Sequence, residues 1–491
     1  MSSPNLLFIV ADQFRAMCLE PGGDPVSTPF LDAMKHDGVS LTHAVSSYPV
    51  CSPHRAMMMS GQYPEANGVT HNVNSETAIW GVGLRPDAPS WAAVLRDAGY
   101  NTGYIGKWHL EAPVPEDAVH GTGPLEDGRY WDAWSPPDRR HGFDFWYSYG
   151  CCDEHLTPHY WTSDAGRHQR VNVTGWSAAH ESDVAIEFLQ RAATDPPGGA
   201  TGVPGPSTGG RPFALAVSWN PPHQPFDQLP ADHDTSYTSR TPAELLNRPN
   251  VELDSLIGGE AAAIAPLYYA AVSAIDAQVG RLLGSLDSLG LADDTLVIFT
   301  SDHGQQMGSH GLLYKNVPFE ESMRIPWVMR WPGRLESTAA DRVGISSIDM
   351  APTLLGLLGH SAAVPAAMHG KDISAVLLAQ GEGAAEEGCA GRLGTPSSLY
   401  FYYPRDENDV AIRGLRTATG KIIARFHAGQ GLSISVFNLL DDPYELENIT
   451  DPAVVRRWAG DLSDALVAAG QSWRGQEALE ELANTTLGAH L

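Results

Sequence analysis

The apolar positions of this chain fall into short unbroken runs separated by longer stretches of helical spacing. Leu6 to Val10 is an uninterrupted apolar run, the pattern of a strand buried on both faces of a parallel sheet. Phe213 to Val217 and Thr295 to Thr300 repeat it, and Thr102 to Gly106 reads as a shorter strand. Between them lie helical patterns. Thr28 to Asp37 has Thr28 in the capping position and Pro29 in the first turn. Pro53 to Ser60 reads as a second helix start, followed by helices at Ser90 to Ala98, Ser182 to Ala193 and the long Ala261 to Leu289. Strands alternating with helices predict an α/β fold with a large, mainly parallel sheet sandwiched by helices.

The pattern changes in the last quarter. Ser398 to Tyr403, Asp409 to Thr417, Lys421 to Arg425 and Ser433 to Asn438 are short runs at hairpin spacing and predict an antiparallel sheet. Helical patterns at Val454 to Ala469 and Gln476 to Ala483 follow. Gly381 to Ser398 is rich in small residues and predicts a boundary. It separates an α/β domain over residues 1–380 from a smaller α+β subdomain over residues 396–491. Asp195 to Arg211, dense in Gly and Pro, reads as a surface insertion.

Composition narrows the class. Hydrophobic residues make up 43% of the 491 positions, enough for a packed core, and the net charge is −27. Such a surface repels nucleic acid and anionic membranes, so neither is expected as a partner. An anionic substrate would need a locally positive site set against that field. The five cysteines, Cys18, Cys51, Cys151, Cys152 and Cys389, are odd in number and irregular in spacing, which argues against a disulfide scaffold or a zinc site. Met1 to Asn5 run straight into the first strand, leaving no secretory pattern, and no stretch reads as a membrane span. The expected location is the cytoplasm. The oligomeric state is not legible.

Candidate chemistry sits at the strand ends. Asp12 directly follows the first strand, and Asp302-His303 directly follow Thr295 to Thr300. Ligands of open α/β sheets bind beyond the carboxyl ends of the strands. Two carboxylates brought together there repel unless a cation intervenes. Taken singly, each reads equally well as a helix cap. Cys51-Ser52-Pro53-His54-Arg55 places a cysteine at a helix N-terminus, which favours an anion, with Arg55 one turn on. A buried packing cysteine and a reactive thiol of lowered pKa are the other readings.

The pentapeptide, continued by Ala56-Met57-Met58-Met59-Ser60-Gly61, resembles the Cys-x-Pro-x-Arg signature of the type I, formylglycine-dependent sulfatases of the alkaline phosphatase superfamily. Further segments resemble the family in order. They are Gly106-Lys107-Trp108-His109-Leu110, Pro221-Pro222-His223-Gln224-Pro225, Ser301-Asp302-His303-Gly304, Leu313-Tyr314-Lys315, Asp349-Met350-Ala351-Pro352-Thr353-Leu354-Leu355 and Asp441-Asp442-Pro443-Tyr444-Glu445. The resemblance implies an alkaline-phosphatase-like fold and hydrolysis of a sulfate monoester. It implies that Cys51 is oxidised to formylglycine by a formylglycine-generating enzyme, that Asp12, Asp302 and His303 hold a divalent ion with residue 51, and that Arg55 orients the hydrate. Lys107 and Lys315 would bind sulfate oxygens, and His109 and His223 would move protons.

Two positions depart from the common pattern. Asp12-Gln13 stands where many members have two aspartates, and Asp302-His303 where many have Asp-Asn. Gln13 still offers a carbonyl oxygen to calcium, the family's usual ion, whereas the His303 imidazole suits manganese or zinc better. Phosphonate monoester and phosphodiester hydrolases of the superfamily share both variants, but tend to lack the Gly-Lys-Trp-His segment. A non-catalytic binding protein with an unmodified Cys51 is the reading from another class. For substrate, the aromatic segment Trp131 to Trp161 suits a sugar or an ordinary packed loop equally, and His71, Asn72 and Asn74 follow the Cys51 helix as candidate pocket residues. A sulfated carbohydrate is the leading expectation, ahead of an aryl or small alkyl sulfate.

Overall fold

The computed structural model describes residues 3–120, 128–194, 210–335, 338–339, 343–379, 397–406 and 408–485. Most of the predicted insertion Asp195 to Arg211, most of the predicted boundary Gly381 to Ser398, and Cys389 lie outside these residues.

A ten-stranded sheet forms the body. Its strands in chain order are β1 (Asn5–Ala11), β2 (Val39–Ser40), β4 (Asn101–Lys107), β5 (Phe145–Tyr149), β6 (His159–Thr162), β7 (Val171–Asn172), β8 (Phe213–Trp219), β9 (Thr295–Ser301), β10 (Trp327–Arg330) and β11 (Thr338–Ala339), and the short β3 (His43–Val45) pairs apart with β12 (Gly344–Ser346). The order across the sheet is β11-β2-β10-β9-β1-β8-β4-β5-β6-β7. Its middle, β9-β1-β8-β4-β5, is parallel throughout, and antiparallel pairs flank it on both sides. β1 explains the unbroken apolar run. Leu6, Phe8 and Val10 enter one buried layer with Trp91, Trp108 and Leu354. Leu7, Ile9 and Ala11 enter the opposite layer with Phe188, Tyr268 and Val272. A strand covered on both faces has no polar side to alternate with.

The predicted helices are present with shifted ends. The Cys51 helix runs over Cys51–Ser60, so Cys51 is its first residue and Pro53 lies within its first turn. The predicted Ser182 to Ala193 helix begins earlier, at Ser177–Thr194, and the long helix spans Leu256–Ser288. Among the described residues that last helix is long and apolar enough to cross a membrane by length and composition, contrary to the reading that no stretch qualifies. It packs along the sheet with Ala265, Tyr268, Val272, Ile275 and Val279 buried, the placement of a core helix.

Four antiparallel strands follow: β13 (Ser397–Tyr402), β14 (Ala411–Thr417), β15 (Gly420–His427) and β16 (Gly431–Asn438), paired in that order. One face carries Leu399, Phe401, Ile422 and Val436 against Trp458, Leu462 and Leu466 of the Pro452–Ala468 helix, and Tyr48, Val50 and Met57 join this layer. The other face meets the body through an apolar cluster, in which Tyr400, Ile412, Ile423 and Phe437 pack on Val45 and Met323, and through ions. Arg416 grips Glu320 with Nε to Oε1 at 3.0 Å and Nη2 to Oε2 at 2.8 Å. Lys421 Nζ lies 2.8 Å from Glu320 Oε1, 2.7 Å from Glu445 Oε1 and 2.9 Å from Pro318 O. All four charged side chains are buried.

Breaking one member of a buried ion cluster strands the others in a low-dielectric interior. Lys421→Met should therefore cost about 3–5 kcal/mol of stability. Urea unfolding followed by far-UV circular dichroism measures it, and a loss below about 1 kcal/mol would show that the cluster is not what joins sheet to body.

Candidate active site

Because the central strands are parallel and in near-level register, their carboxyl ends open on one edge. Ala11 pairs with Ser301 on one side and with Trp219 on the other, and Lys107 lies level with Tyr149. Asp12, Asp302, Asn220 and Lys107 therefore emerge side by side. Gly106 permits the approach of β4 to β8. Its φ is 95°, and a Cβ there would lie 2.1 Å from the Ser218 carbonyl oxygen. Gln13 and His109 adopt left-handed backbone, with φ of 67° and 56°. For residues with a Cβ this costs on the order of 1–3 kcal/mol each.

Arg55 ties these ends together. Its Nε donates to Asp302 Oδ2 at 3.0 Å and its Nη2 to Asp12 Oδ2 at 3.1 Å. Nη1 donates to Ser218 Oγ at 2.6 Å and to Lys107 O at 3.0 Å. Lys107 Nζ completes the arrangement at 2.7 Å from Asp12 Oδ2 and 2.9 Å from Asn220 Oδ1. The thiol of Cys51 lies against this frame. Sγ stands 3.3 Å from His303 Nε2, 3.8 Å from Asp12 Oδ1 and 4.0 Å from Lys107 Nζ. Asp12, Cys51, Asp302 and His303 are all buried, and one ligand atom from each falls within 4.8 Å of the others.

Burial alone would push Asp12 up, but Lys107, His223, His303 and Arg55 hold it well below the usual carboxylate range. Asp302 is pushed up, first by burial and then by the charge on Asp12. Burial and Asp12 push the Cys51 thiol up, yet Lys107, Lys315 and His303 outweigh them and bring it well below its ordinary value. A divalent cation fits this donor set. His303 Nδ1 donates to Gly304 O at 3.0 Å, which leaves the Nε2 lone pair toward the cluster. The remaining repulsion between two buried carboxylates is what such an ion relieves.

The other expected residues also converge. Lys315 Nζ donates to Gln13 Oε1, and Gln13 Nε2 donates to Gln224 Oε1 at 3.2 Å. The Gln13 carbonyl is thus partly engaged by Lys315. His109 is kept low in pKa chiefly by burial. Its Nε2 bonds Val73 O at 3.0 Å, and its Nδ1 has no hydrogen-bond partner among the described residues. His223 is buried, with Nδ1 2.8 Å from Gln224 O. Asn72 serves the helix as well. Its Oδ1 accepts the Ser52 N–H at 2.9 Å and satisfies a free donor in the first turn.

Sequence reading missed Ser218 and Asn220. Both follow from the register of β8 with β1 and β4, but a serine and an asparagine near a strand end carry no distinctive signal. The aromatic segment divides differently from the sugar-platform reading. Phe143, Trp146, Tyr149, Tyr160 and Trp161 are buried core residues, several of them on β5 and β6, and Trp131 remains beside His109 with ring centroids 5.9 Å apart. A second grouping, His310, Glu321 and Glu445, also brings ligand atoms together, but Arg248 and Lys421 already neutralise its carboxylates.

Comparison with known proteins identifies the family. The profile of the family described as Sulfatase matches residues 4–360, and that described as N-sulphoglucosamine sulphohydrolase, C-terminal, matches residues 308–471. An endo-4-O-sulfatase of Bacteroides thetaiotaomicron is 33% identical over 472 residues, covering 91% of this chain and 88% of the relative. An ulvan-active sulfatase of Formosa agariphila is 32% identical over 383 residues, covering 77% of this chain and 65% of the relative. A solved structure of a Bacteroides thetaiotaomicron 4S-sulf protein, described in connection with the metabolism of multiple glycosaminoglycans, superposes with a TM-score of 0.84 at 30% identity, covering 99% of this chain and 100% of that one.

Arg55→Met would leave Asp12 and Asp302 buried without the cation that bridges them. In the presence of a chelator it should lose about 3–5 kcal/mol of stability. Thermal unfolding measures this, and an unchanged midpoint would show that Arg55 does not hold the strand ends.

Proposed function

Because the chain belongs to the sulfatase family of the alkaline phosphatase superfamily and is a sulfuric ester hydrolase, we propose that it cleaves the sulfate ester of a sulfated sugar through residue 51, oxidised from cysteine to formylglycine. The observation that carries this reading is the setting of Cys51. Its sulfur, marking where a formylglycine oxygen would stand, lies among Asp12, His303 and Lys107 at the carboxyl ends of the parallel strands. A formylglycine-generating enzyme is the maturation partner this requires. The sugar is proposed from relatives named for a 4-O-sulfate and for ulvan, and from the solved structure described with glycosaminoglycan metabolism.

The chemistry follows from the residues. Asp12, Asp302 and His303, with residue 51 and the Gln13 carbonyl oxygen, would hold the divalent ion, calcium with manganese as the alternative. When bound, that ion supplies Lewis-acid polarisation of the sulfate and of the attacking hydroxyl. Lys107 and Lys315 bind sulfate oxygens and offset charge that develops there. Arg55 keeps Asp12 and Asp302 in place beneath them. A formylglycine hydrate at residue 51 would supply a hydroxyl to sulfur, its proton passing to the Asp302 carboxylate as the S–O bond to the sugar breaks. His223 gives the departing sugar oxygen its proton. The sulfate is then an ester on residue 51. His109, neutral through burial and with Nδ1 unpartnered, takes the proton of the second hydroxyl. That electron pair re-forms the aldehyde as the C–O bond to sulfate breaks. Asn72, whose Oδ1 accepts the Ser52 N–H, would meet the substrate rim.

Mass spectrometry of the peptide containing position 51, from a host with the oxidising enzyme, should find formylglycine. Cys51→Ala should abolish sulfate release from sugar sulfates, and finding only cysteine in a fully active sample would disprove the route. An aryl sulfate should be turned over in preference to an aryl phosphonate monoester; the reverse order would favour the phosphonate reading. Chelation should remove activity and lower the unfolding midpoint, with calcium restoring both. Full activity after exhaustive chelation would rule out the ion.

A further inference from the structure

The segment after β5 carries an acid with no part in the chemistry above. Asp153 Oδ1 accepts from Asn220 Nδ2 at 3.0 Å and lies 3.6 Å from His223 Nδ1. That same Nδ1 stands 2.8 Å from Gln224 O. A carbonyl only accepts, so Nδ1 carries a hydrogen and Nε2 is the atom left to exchange a proton. His155 Nε2 bonds the His223 carbonyl at 2.9 Å and fixes the backbone of the histidine.

Asp153 is held from behind. Asn220 Nδ2 also donates to Cys152 O at 2.9 Å, and Asn220 Oδ1 accepts from Lys107 Nζ at 2.9 Å. Asp132 Oδ1 accepts the Gly150 N–H at 2.8 Å, while Asp132 Oδ2 lies 2.6 Å from His159 Nε2. His159 Nδ1 in turn lies 3.8 Å from the Cys152 thiol. Asp132, His159 and Cys152 are buried, and a Cβ at Gly150 would lie 2.5 Å from Ala133 N. The segment therefore has little freedom to move Asp153 away from the imidazole. Burial alone would raise Asp153, but His223 and Lys107 bring it below its ordinary value, so it stands as a carboxylate.

We propose that Asp153 is a positioning residue for His223. With the Nδ1–H form already set by the Gln224 carbonyl, its carboxylate, 3.6 Å from Nδ1, stabilises the imidazolium, so that Nε2 presents a proton to the departing oxygen. This rests on the reading of His223 as the general acid. The alternative is a rim carboxylate, 44% exposed at its side chain, that only braces Asn220.

Leaving-group dependence separates the two. A general acid matters most when the departing oxygen is basic and least when it is a good leaving group. Asp153→Asn keeps an oxygen for the Asn220 bond but removes the charge. It should lower kcat on phenyl sulfate and on a monosaccharide 4-O-sulfate about tenfold or more, with 4-nitrophenyl sulfate within about twofold and KM little changed. Asp153→Glu should recover part of the loss. His223→Ala, run beside it, should show the same dependence more steeply. A uniform fall across leaving groups, or no fall, in Asp153→Asn while His223→Ala discriminates would overturn the positioning role alone. No discrimination in His223→Ala would overturn the acid assignment and this proposal with it.

Discussion

The site depends on one guanidinium. Arg55 reaches from the Cys51–Ser60 helix to the ends of β1, β9, β8 and β4, bonding Asp12, Asp302, Ser218 and the Lys107 carbonyl. These groups come from distant parts of the chain and meet only because parallel strands share a direction. Two buried carboxylates would drive that edge apart, and a planar donor fork with fixed geometry is suited to span them. The helix that supplies Arg55 also begins with Cys51. The position of Cys51 is therefore coupled to the charge balance beneath it: whatever holds the carboxylates also aims residue 51.

That coupling resolves the conflict between global and local charge. The whole protein carries −27, yet Lys107, Lys315 and His303 surround Cys51 closely enough to pull its thiol well below its ordinary value. Distant surface charges are screened within about 8–10 Å in physiological salt, whereas buried neighbours are not. An anion inside the pocket therefore experiences the few cations in contact with it more than the acidic exterior. The surface charge keeps polyanions from binding elsewhere, and the pocket retains its own affinity.

Much of this was legible because of how parallel sheets are buried. A strand covered on both faces must be apolar throughout, so β1, β8 and β9 stand out, and the first polar residue after each marks the open edge. Asp12 and Asp302 were found in this way. The edge of the sheet was harder to read. β5 and β6 consist largely of aromatic residues whose rings pack into core layers, and the same composition describes an exposed sugar platform. Burial, which sequence does not report directly, separates the two. Ser218 and Asn220 escaped for another reason. Each has an ordinary side chain, and its importance comes from strand register and from which neighbour's second hydrogen bond it completes. The helix starting at Ser177 began earlier than its apolar spacing indicated because its first turn is made of small residues that give little periodic contrast.

The C-terminal sheet belongs to the same mechanical argument. Lys315 is followed closely by Pro318 and Glu320, and those two are where the buried ions attach. Lys421 donates to the Pro318 carbonyl, Glu445 accepts the Glu320 N–H at 2.8 Å, and Arg416 grips the Glu320 carboxylate. Asn316, next to Lys315, donates to Pro49 O at 2.9 Å and accepts from the Tyr400 hydroxyl at 3.3 Å. Pro49 in turn lies two residues before Cys51. The loop bearing Lys315 is thus pinned on one side to the approach of the Cys51 helix and on the other to β13, β14 and β15. A lysine has a long flexible stem, and holding it costs side-chain entropy unless its backbone is fixed. The antiparallel sheet supplies that anchorage, which explains why a part of the chain remote from the strand-end carboxylates is joined to the body through buried charges and not through apolar packing alone.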